Sequence, residues 1–192
     1  MRRTTMLVVC TLALALCAGF AAASTTPPPA DTLKVDYFAN ANTAGAPDGT
    51  VRVTNPGTSG TGLCAAIFVF DPNQELSECC SCYVSPDGLR TLSVNTDLTS
   101  NPLTGVVLST GLIKIVSTKN NGTTCPNPTS LIPTAAVRAW ATHIQNANFA
   151  ITETSSQDAT LSAAEVTSLD NQCHAIHLDG SGKGICSCGT GD

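Results

Sequence analysis

Cys79, Cys80 and Cys82 form one tight cluster, Cys186 and Cys188 another, and His174 and His177 stand just ahead of the second. Thiolates and imidazoles grouped in this way suit zinc or copper. His174 and His177 are three apart on an expected helix, so they share a face. The same sulfurs have a simpler use. Setting aside Cys10 and Cys17 in an expected leader leaves Cys64, Cys79, Cys80, Cys82, Cys125, Cys173, Cys186 and Cys188. An even count in an exported chain reads as disulfides. Pairing consumes every sulfur, so the expectation is no metal and no cofactor. His174, His177, Cys186 and Cys188 are the residues a metal would take if thiols persisted. The pair Cys186-x-Cys188 also suits a reactive disulfide, but no Cys-x-x-Cys stands on a βαβ pattern.

Other chemistry is weakly marked. His143, His174 and His177 are the only bases of their kind, and no Gly-x-Ser-x-Gly elbow occurs. Triads are scattered in sequence, so an exported hydrolase or a metal-binding protein stands as the competing reading. Glu75, Glu78, Glu153 and Glu165 are the only glutamates, and none has the setting of a glycosidase pair. Residues 179–184 look like a phosphate loop, but they follow a helix instead of opening one. Asn121-Gly122-Thr123 is a glycosylation sequon.

Residues 1–23 read as a signal peptide: Arg2 and Arg3, an apolar run over 6–16, then three alanines. Residues 24–32 form a Pro/Thr-rich spacer, stiffened by Pro27, Pro28 and Pro29. Residues 33–192 then make a single β-rich domain, long enough for a real core. The whole chain has a net charge of −5; without Arg2 and Arg3, 7 basic residues face 14 acidic ones. No basic run exists, which argues against nucleic acid and anionic membranes as partners. After leader cleavage no membrane span is expected.

The elements that must position these residues are mostly strands. Residues 64–70 are an almost unbroken apolar run, as in a strand covered on both faces. Asp71-Pro72-Asn73 turns the chain. In the following strand, alternation places Leu76, Glu78, Cys80, Cys82 and Val84 on one face and Ser77, Cys79, Ser81 and Tyr83 on the other. Cys80 and Cys82 would then have Cα atoms roughly 6.5–7 Å apart, at or beyond disulfide reach, so each must pair elsewhere. Cys79 needs a partner on the opposite side. A type I turn over 85–88 leads to a strand over 89–94, with Arg90 a partner for Asp87 or Asp97. Further strands are expected at 33–38, 50–54, 106–108, 112–117, 136–144 and 149–153. The period then changes. Apolar residues at three- and four-residue steps, a Ser162/Glu165 capping box and a stop at Gly180 predict a helix over about 162–178.

Glu78-Cys79-Cys80-Ser81-Cys82, residues 88–105 and the capped helix followed by residues 180–188 resemble a family of uncharacterised exported, cysteine-rich bacterial proteins. That resemblance implies no activity and carries no site residue. Together these features predict a disulfide-stapled antiparallel β-sandwich with one helix in the C-terminal region. Its expected role is an exported noncatalytic structural or binding domain: periplasmic, cell-surface or extracellular. Expected partners are a protein or surface glycan, bound through the loops at 55–62 and 95–105. Self-association through edge strands, giving a fibre or surface component, is a third reading.

Overall fold

The computed structural model describes residues 31–145 and 148–191. The expected leader and all but the last two residues of the expected spacer lie outside the described residues. The chain order is β1 (Leu33–Phe38), β2 (Thr50–Thr54), β3 (Leu63–Phe70), β4 (Leu76–Val84), β5 (Leu89–Ser93), β6 (Gly111–Lys119), β7 (Arg138–Ile144), β8 (Ile151–Ser155), β9 (Gln157–Ala159) and α1 (Ala163–Asp179). One sheet has the order β4-β3-β6-β1-β9, the other β5-β2-β7-β8. Every paired neighbour is antiparallel.

The expected sandwich with a late helix is therefore present, as three layers. β3 explains the arrangement. All eight of its residues are buried. Leu63, Ala65, Ile67 and Val69 pack toward the four-stranded sheet, beside Val51, Val53, Leu92 and Ala139. Ala66, Phe68 and Phe70 point the other way and pack with Leu169, Cys173 and Ile176 of α1. β3 thus serves two cores, and each large side chain fully buried in them contributes about 1.5–3 kcal/mol. The helix starts where the capping box predicts: the Ser162 hydroxyl accepts from the Glu165 amide at 3.1 Å. It stops at Gly180, which caps it in the left-handed region at φ 66°.

Four expectations need correction. Leu76 does not share a face with Cys80 and Cys82. Register slips between Val69 and Phe70, which face Glu78 and Leu76, so Ser77 is an extra residue. This bulge turns Leu76 into the helix-side core. Residues 106–108 form no strand, and Val106 and Val107 are exposed. Asp87 has φ 60°, so the turn closed by Gly88 N donating to Ser85 O at 2.9 Å is not type I. Arg90 Nε donates to Tyr83 O at 2.7 Å and to neither expected carboxylate. In addition, the segment at 94–98 forms one π-helical turn, and β9 is a short strand with no sequence forecast.

After α1 the chain crosses one open side of the sandwich. Cys79 N donates to Gly184 O at 2.8 Å, and Ile185 bridges the edge of β4. Thr190 then exchanges two backbone hydrogen bonds with Thr91 on the edge of β5. The tail covers an edge of each sheet, as exposed edges require. Gly184 has φ +77°, and a Cβ there would lie 2.8 Å from Ile176 Cγ2. On the opposite side, Ser156 links β8 of one sheet directly to β9 of the other.

Candidate functional sites

The eight cysteines form four disulfides: Cys64–Cys125, Cys79–Cys173, Cys80–Cys186 and Cys82–Cys188. Their Cα separations of 5.2–6.0 Å are ordinary. Alternation along β4 dictates the pattern. Cys79 faces the helix and is joined to it, while Cys80 and Cys82 face the other way and are joined to the tail.

The metal set considered from sequence is not assembled. Cys186 and Cys188 pair with β4, and His174 is exposed on α1. His177 instead approaches Cys79 and Cys173, with the three potential ligand atoms within 4.8 Å of one another. Those two sulfurs are bonded to each other, and a disulfide is not the thiolate pair that binds zinc. His177 Nε2 is buried without a hydrogen-bond partner.

A second cluster lies on the side that carries no disulfide. Ala139, Ala141 and His143 form the inward row of β7, so His143 meets the inward row of β1. His143 Nε2 lies 2.8 Å from Thr154 Oγ1 and 3.4 Å from Asp36 Oδ1. Asp36 accepts the Ser156 hydroxyl at 2.7 Å and the Tyr37 amide at 2.9 Å. The exposed Tyr37 ring packs on the imidazole, with centroids 4.3 Å apart. Asp36, Tyr37, His143 and Thr154 border a pocket of about 220 Å3. Both contacts fall on Nε2, and Nδ1 is buried with no partner. A catalytic relay instead needs the acid on one ring nitrogen and the nucleophile on the other. Along the same side, buried Lys34 pairs with Asp31 and Asp158, and Asp31 also pairs with Arg138. The Lys34 hydrogen bond, opposed by desolvation and reinforced by Arg138, holds the Asp31 carboxyl down at about 2.

Glu78 is the buried acid on the stapled side. Its Oε1 accepts from Asn101 N at 2.8 Å, and Oε2 has no partner. Desolvation raises its pKa to about 7 despite that hydrogen bond. Asn101 in turn holds the tail: its O accepts from Gly184 N at 2.7 Å, and its Nδ2 donates to Gly182 O at 2.7 Å. Part of the loop at 95–105 is therefore committed to internal support. At 55–62, buried Asn55 does the same work, donating from Nδ2 to Thr61 O at 2.8 Å and Val84 O at 3.2 Å.

The third site is a groove of about 390 Å3 between α1 and the adjoining ends of β3 and β6. Phe70 and Leu112 form its apolar part, and Gln74, Ser168 and Gln172 line its walls. Lys114 Nζ sits 4.9 Å from the Phe70 ring centre and 2.6 Å from Glu165 Oε1. No spacing in the sequence announces this site. It arises because the turn after β3 and the first half of α1 are brought side by side.

No helix among the described residues is long and apolar enough to cross a membrane. No protein-family model, curated protein or solved structure matches this chain.

Proposed function

We propose that this chain is an exported, noncatalytic binding domain whose ligand site is the groove between α1 and the ends of β3 and β6. Four disulfides and the lack of a spanning helix among the described residues fit export. The observation that carries the binding reading is preorganisation of a concave, mixed-polarity surface. One wall, α1, is tied by Cys79–Cys173 and its own cap. The other is a turn locked by Asp71, whose Oδ1 accepts from Asn73 N at 2.9 Å and Glu75 N at 2.8 Å. A site fixed before binding loses little entropy when it is filled. Its volume falls in the lower part of the range of about 300–1,000 Å3 usual for small-molecule sites.

The test is retention of the labelled chain, starting at Ser24, on intact cell surfaces and extracellular polysaccharide. Saturable retention that competes with unlabelled protein is the expected result. Absence of retention on every surface rejects the reading.

One observation favours a second reading, an exported hydrolase: Thr154 Oγ1 stands 2.8 Å from His143 Nε2, a hydroxyl–base pair without the acid on Nδ1 that a full triad has. A fluorophosphonate probe and a panel of ester substrates separate the two. The binding reading expects neither labelling nor turnover. Turnover abolished by Thr154→Val would replace it with the hydrolase.

A further inference from the structure

We infer that the groove beside α1 recognises a neutral saccharide unit, through Gln74, Ser168 and Gln172 beside the apolar side chain of Leu112. This rests on the binding reading above and specifies its ligand.

Charge restricts the ligand first. The one cation, Lys114, is neutralised by Glu165 and rests on the Phe70 ring. Asp71 is occupied by its own turn, accepting two backbone amides and the Asn73 side chain. The groove therefore has no uncommitted positive charge to balance an acid, which argues against phosphate or carboxylate ligands. The remaining polar groups are amides and a hydroxyl, and each can both donate and accept. Gln172 Nε2 donates to Ser168 Oγ at 2.9 Å, which leaves the Ser168 proton and the Gln172 carbonyl available. Sugar hydroxyls likewise donate and accept. The C–H face of a pyranose matches the apolar side chain of Leu112 between those walls, the Phe70 ring being buried and covered by Lys114.

The second argument is strain. Gln74 adopts φ 71°, a left-handed conformation that suits glycine. Gln74 N donates to Asp71 O at 3.0 Å, and Asp71 N to Glu75 O at 2.9 Å, so the turn imposes this conformation. Glycine would satisfy the backbone better, yet the residue there carries an amide beside the groove. A left-handed non-glycine residue at a concave site is the kind of outlier from which a ligand contact is properly inferred.

The experiment is a titration of the full chain from Ser24, followed by amide chemical shifts and calorimetry. The probes are maltose, cellobiose, N,N′-diacetylchitobiose and galactose, with glucuronate and glucosamine as charged comparators. At least one neutral sugar should give saturable shifts at the groove, with the charged comparators weaker. Gln74→Gly and Gln172→Ala should each weaken that binding by about tenfold, the cost of losing one good polar contact. Gln157→Ala, at the other pocket, should leave it unchanged. Gln74→Gly should also melt no lower than the parent, because it relieves the left-handed residue. Lower affinity with equal or higher stability is a result that a purely structural glutamine does not produce. Failure of every sugar to bind, or parental affinity in both glutamine variants, overturns the assignment. If surface retention persists while all the sugars fail, the saccharide proposal falls and the binding-domain reading stands. If retention is also absent, both fall.

Discussion

The two open sides of this sandwich are closed by different chemistry. On the β4/β5 side, two disulfides and backbone pairing at Ile185 and Thr190 hold the tail across both edges. On the β8/β9 side no disulfide joins the sheets, and only the backbone at Ser156 passes between them. Arg138, Asp31, Lys34 and Asp158 form an ionic chain, and Asp36 gathers Ser156 and His143. The covalent seam is indifferent to salt and sensitive to reductant. The ionic seam is the reverse, because partly exposed ion pairs are screened and worth little individually. β8 is exposed along its whole length, so this is also the side expected to open first.

Breaking the covalent seam should have the largest effect. Replacing Cys80 and Cys186 together by Ala should cost about 2–5 kcal/mol in denaturant unfolding, since that disulfide spans 106 residues. If the loss instead falls below that of the ionic-seam variant, the assignment of the stronger side is wrong.

Next comes a pH test of a weakness hidden behind the staples. Glu78 has a folded pKa raised from 4.5 to about 7, so the folded state holds its proton more tightly than the unfolded state does. This stabilisation is fully present below about pH 4.5 and is lost as pH rises through about 7. The loss should be on the order of 3 kcal/mol. Glu78→Gln should flatten the stability profile between those values and raise stability at pH 8. An unchanged profile would show that Glu78 is not the group responsible.

On the ionic side, Lys34→Met should cost about 1–2 kcal/mol at low salt, because Asp158 and Asp31 can regain water. The difference from the parent should shrink as salt is added, whereas the Cys80/Cys186 difference should not. Asp31 contributes with the opposite pH sign to Glu78. Its pKa is depressed, so its stabilisation is present above about 3.8 and lost as pH falls toward about 2. Asp31→Asn should remove that acid-side loss. The smallest effect belongs to Ser162→Ala. Losing the helix cap should cost about 1 kcal/mol, and hydrogen exchange should show fraying confined to the first turn, because Cys173 still anchors α1.

Much of this arrangement was legible in the sequence where a strict period operates. Two-residue alternation placed Cys79 opposite Cys80 and Cys82, and so anticipated which sulfurs leave β4 in which direction. The Ser162/Glu165 pair and Gly180 marked both ends of α1. What escaped was whatever depends on a departure from period or on distant segments meeting. The extra Ser77 moved Leu76 across the sheet without any sequence signal. β9, at three residues, is too short to show alternation. His143 stands in the sequence as one of three candidate bases, and nothing near it announces Asp36 or Thr154. The histidines that did attract attention, His174 and His177, lie on a helix whose partners along the chain had already been paired with each other. The groove was equally hidden: the sequence puts Gln74 at the start of the returning strand, whereas it lies in the turn with φ 71° and β4 begins at Leu76.

The wide separation of bonded sulfurs also bears on biogenesis. Cys79, Cys80 and Cys82 wait for partners 94 and 106 residues further along. A growing chain therefore carries three closely spaced thiols long before the correct mates are made. Once β4 has formed, its geometry disfavours a bond between Cys80 and Cys82, but before then neither that bond nor intermolecular capture is prevented. Productive maturation should consequently depend on an isomerase or a thiol-protecting escort, and yield should fall when oxidation outruns synthesis.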